Sequence, residues 1–251
     1  MISAMKRKGQ KFIRTQLERL GIAIERRKAG NGPSIPLLRL LVEHSILVDG
    51  KGAILQIGAN DGVLADPIHE MIVALDLPAV LVEPIPDRFE ELQRNYAGQP
   101  NISFENCAVS SEPGEAELFR INPKATHFPD WAHGLASFEK TVLLKHQSKE
   151  GMAGSNLDQH IESLRVPVVT IGQLLKKHSA LQKLTAIQID TEGHDFAVVK
   201  SAVAAGCLPR IIHYEHKHLS YDDQLACRNL LISHGYSFLS NFEDTLAYRY
   251  Q

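Results

Sequence analysis

The sequence predicts an α/β fold with a mostly parallel sheet and helices on both faces. Three observations carry this. After about residue 50, short apolar runs alternate with stretches of helical period, the pattern of successive βα units. The first apolar run empties into a turn of glycine, asparagine and aspartate, "ILQIGANDG" (54–62). The last two apolar runs are joined only by the short "SNFED" (240–244), which predicts an antiparallel hairpin at the C-terminal end.

Bulk properties fit a soluble globular chain. Its 251 residues suffice for one large domain or two small ones. An apolar fraction of 44% with 22% charged residues is ordinary. No run approaches the length of a membrane-spanning helix. The charged N-terminus lacks the apolar core of a secretory signal. Cys107, Cys207 and Cys227 are scattered without CxxC spacing, which argues against a disulfide framework or zinc site and favours the cytoplasm.

Charge is unevenly spread. Residues 1–28 carry nine Lys and Arg against two Glu, so an arm of +7 leaves −9 for the rest of a chain whose net charge is −2. Within 6–27, Ile13, Leu17, Leu20 and Ile24 share one face of a helix. The opposite face is basic, so residues 6–28 are expected either to touch an anionic membrane surface or to pack on the domain with solvated cations. "AGNGPS" (29–34) reads as a linker. The arm and linker thus form residues 1–34, and the main domain 35–251. Nothing calls for nucleic acid as a partner.

In order, strands are expected near 53–58, 79–83, 102–106, 185–190, 210–215, 236–240 and 244–249. Helices are expected near 36–46, 64–76, 86–97, 171–180, 194–204 and 221–234. The stretch 107–165 breaks the alternation, although "GEAELFRI" (114–121) reads as an extra strand. The polar segment 122–160, with the only Trp at 131, is expected to be a lid, an acceptor-binding insertion or an unstructured loop.

Candidate site residues cluster at strand ends, where open parallel sheets bind ligands. In "ILQIGANDG", Gly58 and Gly62 allow tight turns, and Asn60 and Asp61 supply acceptors. The G-x-G-x-x-G that cradles a pyrophosphate is missing. A ligand with an amino acid and a nucleoside but no phosphate fits better, and S-adenosylmethionine is that ligand. Glu83 ends the second strand, placed to accept from ribose hydroxyls. Asn106, Cys107 and Ala108 end the third and are candidates to line the adenine. In "LTAIQIDTEGHDF" (184–196), Asp190, Glu192 and His194 gather ionisable groups at one strand end, while Asp195 suits a helix N-terminus. In "IIHYEHKH" (211–218), Glu215 ends the neighbouring strand, and His216 and His218 are possible metal ligands without a helical metal-binding spacing.

"ILQIGANDG", "VEP" (82–84), "NCAVS" (106–110), "GLAS" (134–137), "VPVVTIGQLL" (166–175) and "IQIDTEGHDFAVVKSA" (187–202) occur in the order seen in FkbM-type methyltransferases. The chain resembles that family over roughly 50–249. The resemblance implies a Rossmann-like class I methyltransferase fold, a seven-stranded sheet with its last strand antiparallel, and S-adenosylmethionine as cofactor. It implies methylation of hydroxyl oxygens, often on sugars or related natural products, and puts Ser137 near the cofactor. Gln56, Gly58, Asn60, Asp61, Gly62, Glu83, Asn106, Ala108 and Ser137 are then the cofactor-binding set. Asp190 or His194 is the expected base, with Glu192 beside it; alternatively Asp190, Glu192 and Glu215 hold Mg²⁺. Gln56 and Gln188 stand where the family usually has Asp and Lys. That departure keeps open a catalytically silent, cofactor-binding or membrane-surface module. A nucleotide-sugar oxidoreductase is the second alternative, disfavoured by the missing phosphate loop.

Overall fold

The computed structural model describes residues 36–250; the basic arm at 6–28 and the linker at 29–34 lie outside them. Helix α1 (Leu37–Asp49) leads into the first strand, β1 (Ala53–Ile57). The chain then runs through α2 (His69–Leu75), β2 (Ala79–Val82), α3 (Pro86–Asn95), β3 (Ile102–Glu105), β4 (Ala108–Val109) and β5 (Gly114–Ile121). Next come α4 (Asp130–His133), β6 (Ala136–Ser137), α5 (Lys140–Lys145), β7 (Ile161–Val169), α6 (Ile171–Lys177) and β8 (Leu184–Ile189). The last elements are α7 (Asp195–Ala204), β9 (Ile211–Glu215), α8 (Tyr221–Ser233), β10 (Ser237–Ser240) and β11 (Asp244–Tyr248).

Seven strands form the main sheet in the order β10-β11-β9-β8-β1-β2-β3. All pair in parallel except β11, which is inserted antiparallel between β9 and β10. This is the class I methyltransferase topology. All seven expected strands are present within a residue or so of their predicted bounds, and the C-terminal hairpin forms as expected.

The sheet is buried on both faces because alternate residues of its strands serve different layers. Leu55 and Ile57 of β1 pack with Ile187, Ile189, Leu174, Val198 and Leu231, beneath α6, α7 and α8. Ile54, one residue before Leu55 and therefore on the opposite face, packs with Leu81, Val42, Met71, Ile72 and Leu92, beneath α1, α2 and α3. Each such side chain taken from water contributes about 1.5–3 kcal/mol. Local signals set the helix starts. Pro86 opens α3, Thr170 and Gln173 form a capping box on α6, and Ser220 Oγ accepts from Asp223 N at 3.1 Å on α8.

Two regions differ from expectation. Helix α2 starts at His69 rather than near 64. Asp66 Oδ1 accepts from the amides of Ile68 and His69 at 2.7 and 2.8 Å, and Ala65 has a φ of 56°, so the preceding residues are turned out of the helical path. The stretch 107–169 holds a second sheet, ordered β4-β7-β5-β6. Strand β5 coincides with the predicted "GEAELFRI". Strand β7, its long antiparallel partner, is not among the expected strands, and it carries Pro167, a residue central strands rarely hold. The fold tolerates it because β4 pairs only with Val168 and Val169. Segment 122–160 is not an irregular loop. Ala125, Phe128, Ala132, Leu135, Leu143, Met152 and Leu157 bury a small core of their own with Ile121. No helix among the described residues is long and apolar enough to cross a membrane.

Candidate active site

Chain order reverses between β1 and β8, the switch point where open sheets leave a crevice. A cleft of about 310 Å³ lies there, bounded by the ends of β1, β2, β8 and β9 and by the small domain core. Gly58 has a φ of 78°, and a Cβ on it would stand 1.7 Å from the carbonyl oxygen of Asp190. Only glycine lets the β1 loop pass so close to the end of β8. Asp190 N donates to Ile57 O at 2.9 Å and locks the two loops together.

The β1–β2 wall is organised around Glu83, whose side chain is buried. Its two carboxylate oxygens accept from the amides of Asn60 and Ile85, each at 2.8 Å. Acceptor capacity remains for a ligand hydroxyl. Burial pushes its pKa up to about 7, against the lowering effect of those amides and of Arg120 and Arg88. Asn60 adopts a φ of 49°. Its side chain is so near Gly134 that a Cβ there would come within 2.4 Å of Asn60 Nδ2.

Gln56 and Gln188, both buried, are directly paired across β1 and β8. Gln56 Nε2 donates to Asp66 Oδ2 at 2.7 Å. Burial raises the Asp66 pKa, while the Gln56 bond and the amides of Ile68 and His69 lower it. The two neutral amides therefore meet in space, and neither brings an unpaired charge into the buried strand pair. Asp66 returns a carboxylate to the cleft. Three oxygens, Gln56 Oε1, Asn60 Oδ1 and Gln188 Oε1, are buried without a hydrogen-bond donor. Such a set fits a multiply donating ammonium group.

The β8–β9 wall is crowded with acids. Asp190, Glu192 and Glu215 bring one carboxylate oxygen each to within 4.8 Å of one another. Asp190 is exposed and lines the cleft, yet the protein packed around it removes much of its solvent. That desolvation, then the charges of Glu192 and Asp195, raises its pKa well above the carboxylate range. Glu215 is pushed up to about 9 by burial, then by Glu192 and Asp190. Glu192 has a φ of 48°, uncommon for a residue with a side chain. Ser137 Oγ donates to its carbonyl at 2.7 Å and holds it there. Two histidines face its carboxylate, His218 Nε2 at 3.2 Å and His146 Nε2 at 3.6 Å.

Of the residues expected at the site, Gln56, Gly58, Asn60, Glu83, Cys107, Ala108, Asp190, Glu192, Glu215 and His218 line the cleft. Others sit behind it. Asp61 Oδ1 accepts from the amides of Val63 and Leu64 and shapes the turn. Gly62 packs against Leu92 and Tyr96. Asn106 Nδ2 donates to the carbonyls of Glu83 and Pro84, and Ser137 acts through Glu192. His194 does not reach the cleft. Its ring lies behind Phe138 at 4.7 Å between centroids, with Nε2 2.9 Å from Ser110 Oγ. Burial lowers its pKa to about 4. His216 Nδ1 turns to Thr245 Oγ1 at 3.0 Å. Asp195 is buried at the start of α7, accepting from Thr191 Oγ1 and Glu215 N. Sequence reasoning missed Asp66 and His146, which belong to no motif.

The profile of the Methyltransferase FkbM domain matches residues 56–240. Among solved structures, the methyltransferase FkbM from Methylobacillus flagellatus KT is 16% identical with a TM-score of 0.48. That match covers 82% of this chain and 48% of the other, so this chain spans about half its length. The SAH-bound methyltransferase PaMTH1 of Podospora anserina is 10% identical, with a TM-score of 0.43 over 87% and 80% of the two chains. The N-terminal domain of human METTL16 in complex with SAH is 10% identical, with a TM-score of 0.41 over 94% and 78%. No curated protein matches. With its profile running from the glutamine of β1 to the last residue of β10, the chain belongs to the FkbM methyltransferase family.

Proposed function

We propose that the cleft binds S-adenosylmethionine and serves methyl transfer to a hydroxyl oxygen of a sugar, glycan or related acceptor. The observation that carries this is the meeting of two unlike walls at the switch point. One offers unpartnered acceptors and the anchored carboxylate of Glu83, and the other offers Asp190. The three donor-free oxygens and Asp66 suit the methionine ammonium, and Glu83 suits the ribose hydroxyls. Ala108, Val109 and Leu118, which line the same cleft, suit the flat face of the adenine.

When bound, S-adenosylmethionine supplies a methyl group already activated on a sulfonium. The chain's residues have to orient the two reactants and remove one proton. Asp190 is the base: it faces the cleft, and its raised pKa makes it a stronger proton acceptor than an ordinary carboxylate. Burial, then the charges of Glu192 and Asp195, keep that pKa high. Trp131, half-buried where the small core meets the cleft, offers a flat face for a sugar ring. The basic arm at 6–28 is proposed to touch an anionic membrane surface.

Titration calorimetry with S-adenosylmethionine, followed by transfer of a tritiated methyl group to a glycan extract, tests the reading. Binding with incorporation supports it. Binding without incorporation selects the silent module that Gln56 motivates, and no binding removes both.

A further inference from the structure

His146 has no assigned task, and its surroundings are not those of a packing histidine. Its side chain is 2% exposed, and neither ring nitrogen has a hydrogen-bond partner. Leaving a buried donor or acceptor unmade costs about 1–3 kcal/mol. Glu192 Oε2 and Glu215 Oε2 are also buried without a hydrogen-bond partner. Three of these orphaned atoms, His146 Nε2, Glu192 Oε2 and Glu215 Oε2, can serve a common ligand, which points to a missing ligand rather than to poor packing.

We propose that His146, Glu192 and His218, with Glu215 alongside, form a site for a divalent transition-metal ion such as Zn²⁺. The His146 ring stacks on His218, with centroids 5.1 Å apart and planes 29° from parallel. Both Nε2 atoms approach the same oxygen of Glu192, at 3.6 and 3.2 Å, and His218 Nε2 is 3.8 Å from Glu215 Oε1. The contact from His146 is too long for a hydrogen bond. Two donors bound about 2.1 Å from one tetrahedral ion stand about 3.4 Å apart, so these separations suit shared coordination. The three first-named donors lie within 4.8 Å of one another.

Two imidazoles with a carboxylate select a borderline ion over Mg²⁺, which takes oxygen ligands. The lysines lining the cleft do not replace that ion. Lys217 is paired with Glu243, and Lys149 lies over the Trp131 ring. The left-handed backbone of Glu192, pinned by Ser137, delivers its carboxylate to the Nε2 edges of both rings. A site with two histidines and one carboxylate leaves a fourth position open, where a hydroxyl of the acceptor would bind and lose its proton more easily. That use rests on the methyl-transfer reading; binding of the ion does not.

The test uses the full chain, stripped with a chelator and titrated separately with Zn²⁺ and Mg²⁺. One equivalent of Zn²⁺ is expected, with Mg²⁺ far weaker. His146→Gln and His218→Gln should each weaken Zn²⁺ binding by ~100-fold or more, with melting of the stripped proteins near that of wild type. X-ray absorption on the Zn²⁺-loaded wild type should show two imidazole nitrogens, which keeps the test alive if a variant misfolds. Absence of Zn²⁺ binding, an all-oxygen shell, equal preference for Mg²⁺, or unchanged affinity in both variants would each overturn the site. S-adenosylmethionine binding measured on the stripped protein separates this failure from failure of the proposed function.

Discussion

The β1–β2 wall of the cleft and the β8–β9 wall both bury carboxylates at the ends of parallel strands. Glu83 and Glu215 share one dominant influence, loss of water, which raises both. They part company in what comes next. Glu83 is relieved by two backbone amides and by Arg120 and Arg88, and it stops at about 7. Glu215 meets Glu192 and Asp190 instead and climbs to about 9. The first wall completes its charge balance with the protein's own donors, so it is ready to recognise a ligand. The second wall is left short of positive charge and is completed only by a proton or a cation. In the proposed function, recognition and chemistry are divided between two strand ends that differ chiefly in their neighbours.

The sharpest way to break this division is at Asp190. Asp190→Asn keeps the shape and removes the base, so methyl transfer should fall by about 10²–10⁴-fold while S-adenosylmethionine affinity changes little. Single-turnover incorporation alongside calorimetry reads both quantities. Transfer at the wild-type rate would take proton removal away from the β8–β9 wall.

Next in size is the amide pair. Gln56→Asp alone should lower stability by about 3 kcal/mol, because it buries a carboxylate beside Asp66 with no cation opposite. Gln188→Lys alone should also destabilise. The double variant should regain most of the loss, and urea unfolding of all four proteins gives the coupling. Additive losses would mean that the two glutamines are not one electrostatic unit.

The smallest effects fall on Glu83. Glu83→Gln should weaken S-adenosylmethionine binding by about 10-fold, the size of one charge-assisted hydrogen bond. It should also alter the pH profile. The folded-state pKa of about 7 lies above the ordinary 4.5, so the folded chain holds the proton more tightly than the unfolded one. Stability from this group is complete below about pH 4.5 and is lost as pH rises towards about 7. Thermal melting across that window should show a downward slope that is shallower in Glu83→Gln. An equal slope in both proteins would place the titration elsewhere.

Much of this architecture was legible in the sequence because its signals are local. Apolar runs marked the seven strands. The positive-φ needs of Gly58 and Asn60 marked the loop, and Glu83 and Asp190 could be located by their distance from a strand end. The errors were of another kind. Strand β7 was missed, and it carries Pro167, whose tolerance depends on how far β4 extends. Segment 122–160 looked polar, yet its scattered apolar residues meet in three dimensions. Asp66 was assigned to a helix interior, whereas it lies before the helix and folds back to Gln56. His194 carried the right chemistry, but the direction of its ring depends on Ser110 and Phe138.

By itself, the sequence determined the order of the seven main-sheet strands and the helices that cover them, the glycine that permits the crossing at the switch point, and the acids at the strand ends. Periodicity and backbone preference act over a few residues, and so they can be read along the chain. The tertiary structure decided which acids share a field, that Gln56 and Gln188 face each other, and that His146 and His218 converge on Glu192. Electrostatic coupling and ligand geometry depend on distances through space, and residues 146, 192 and 218 become neighbours only when the small core folds against the sheet.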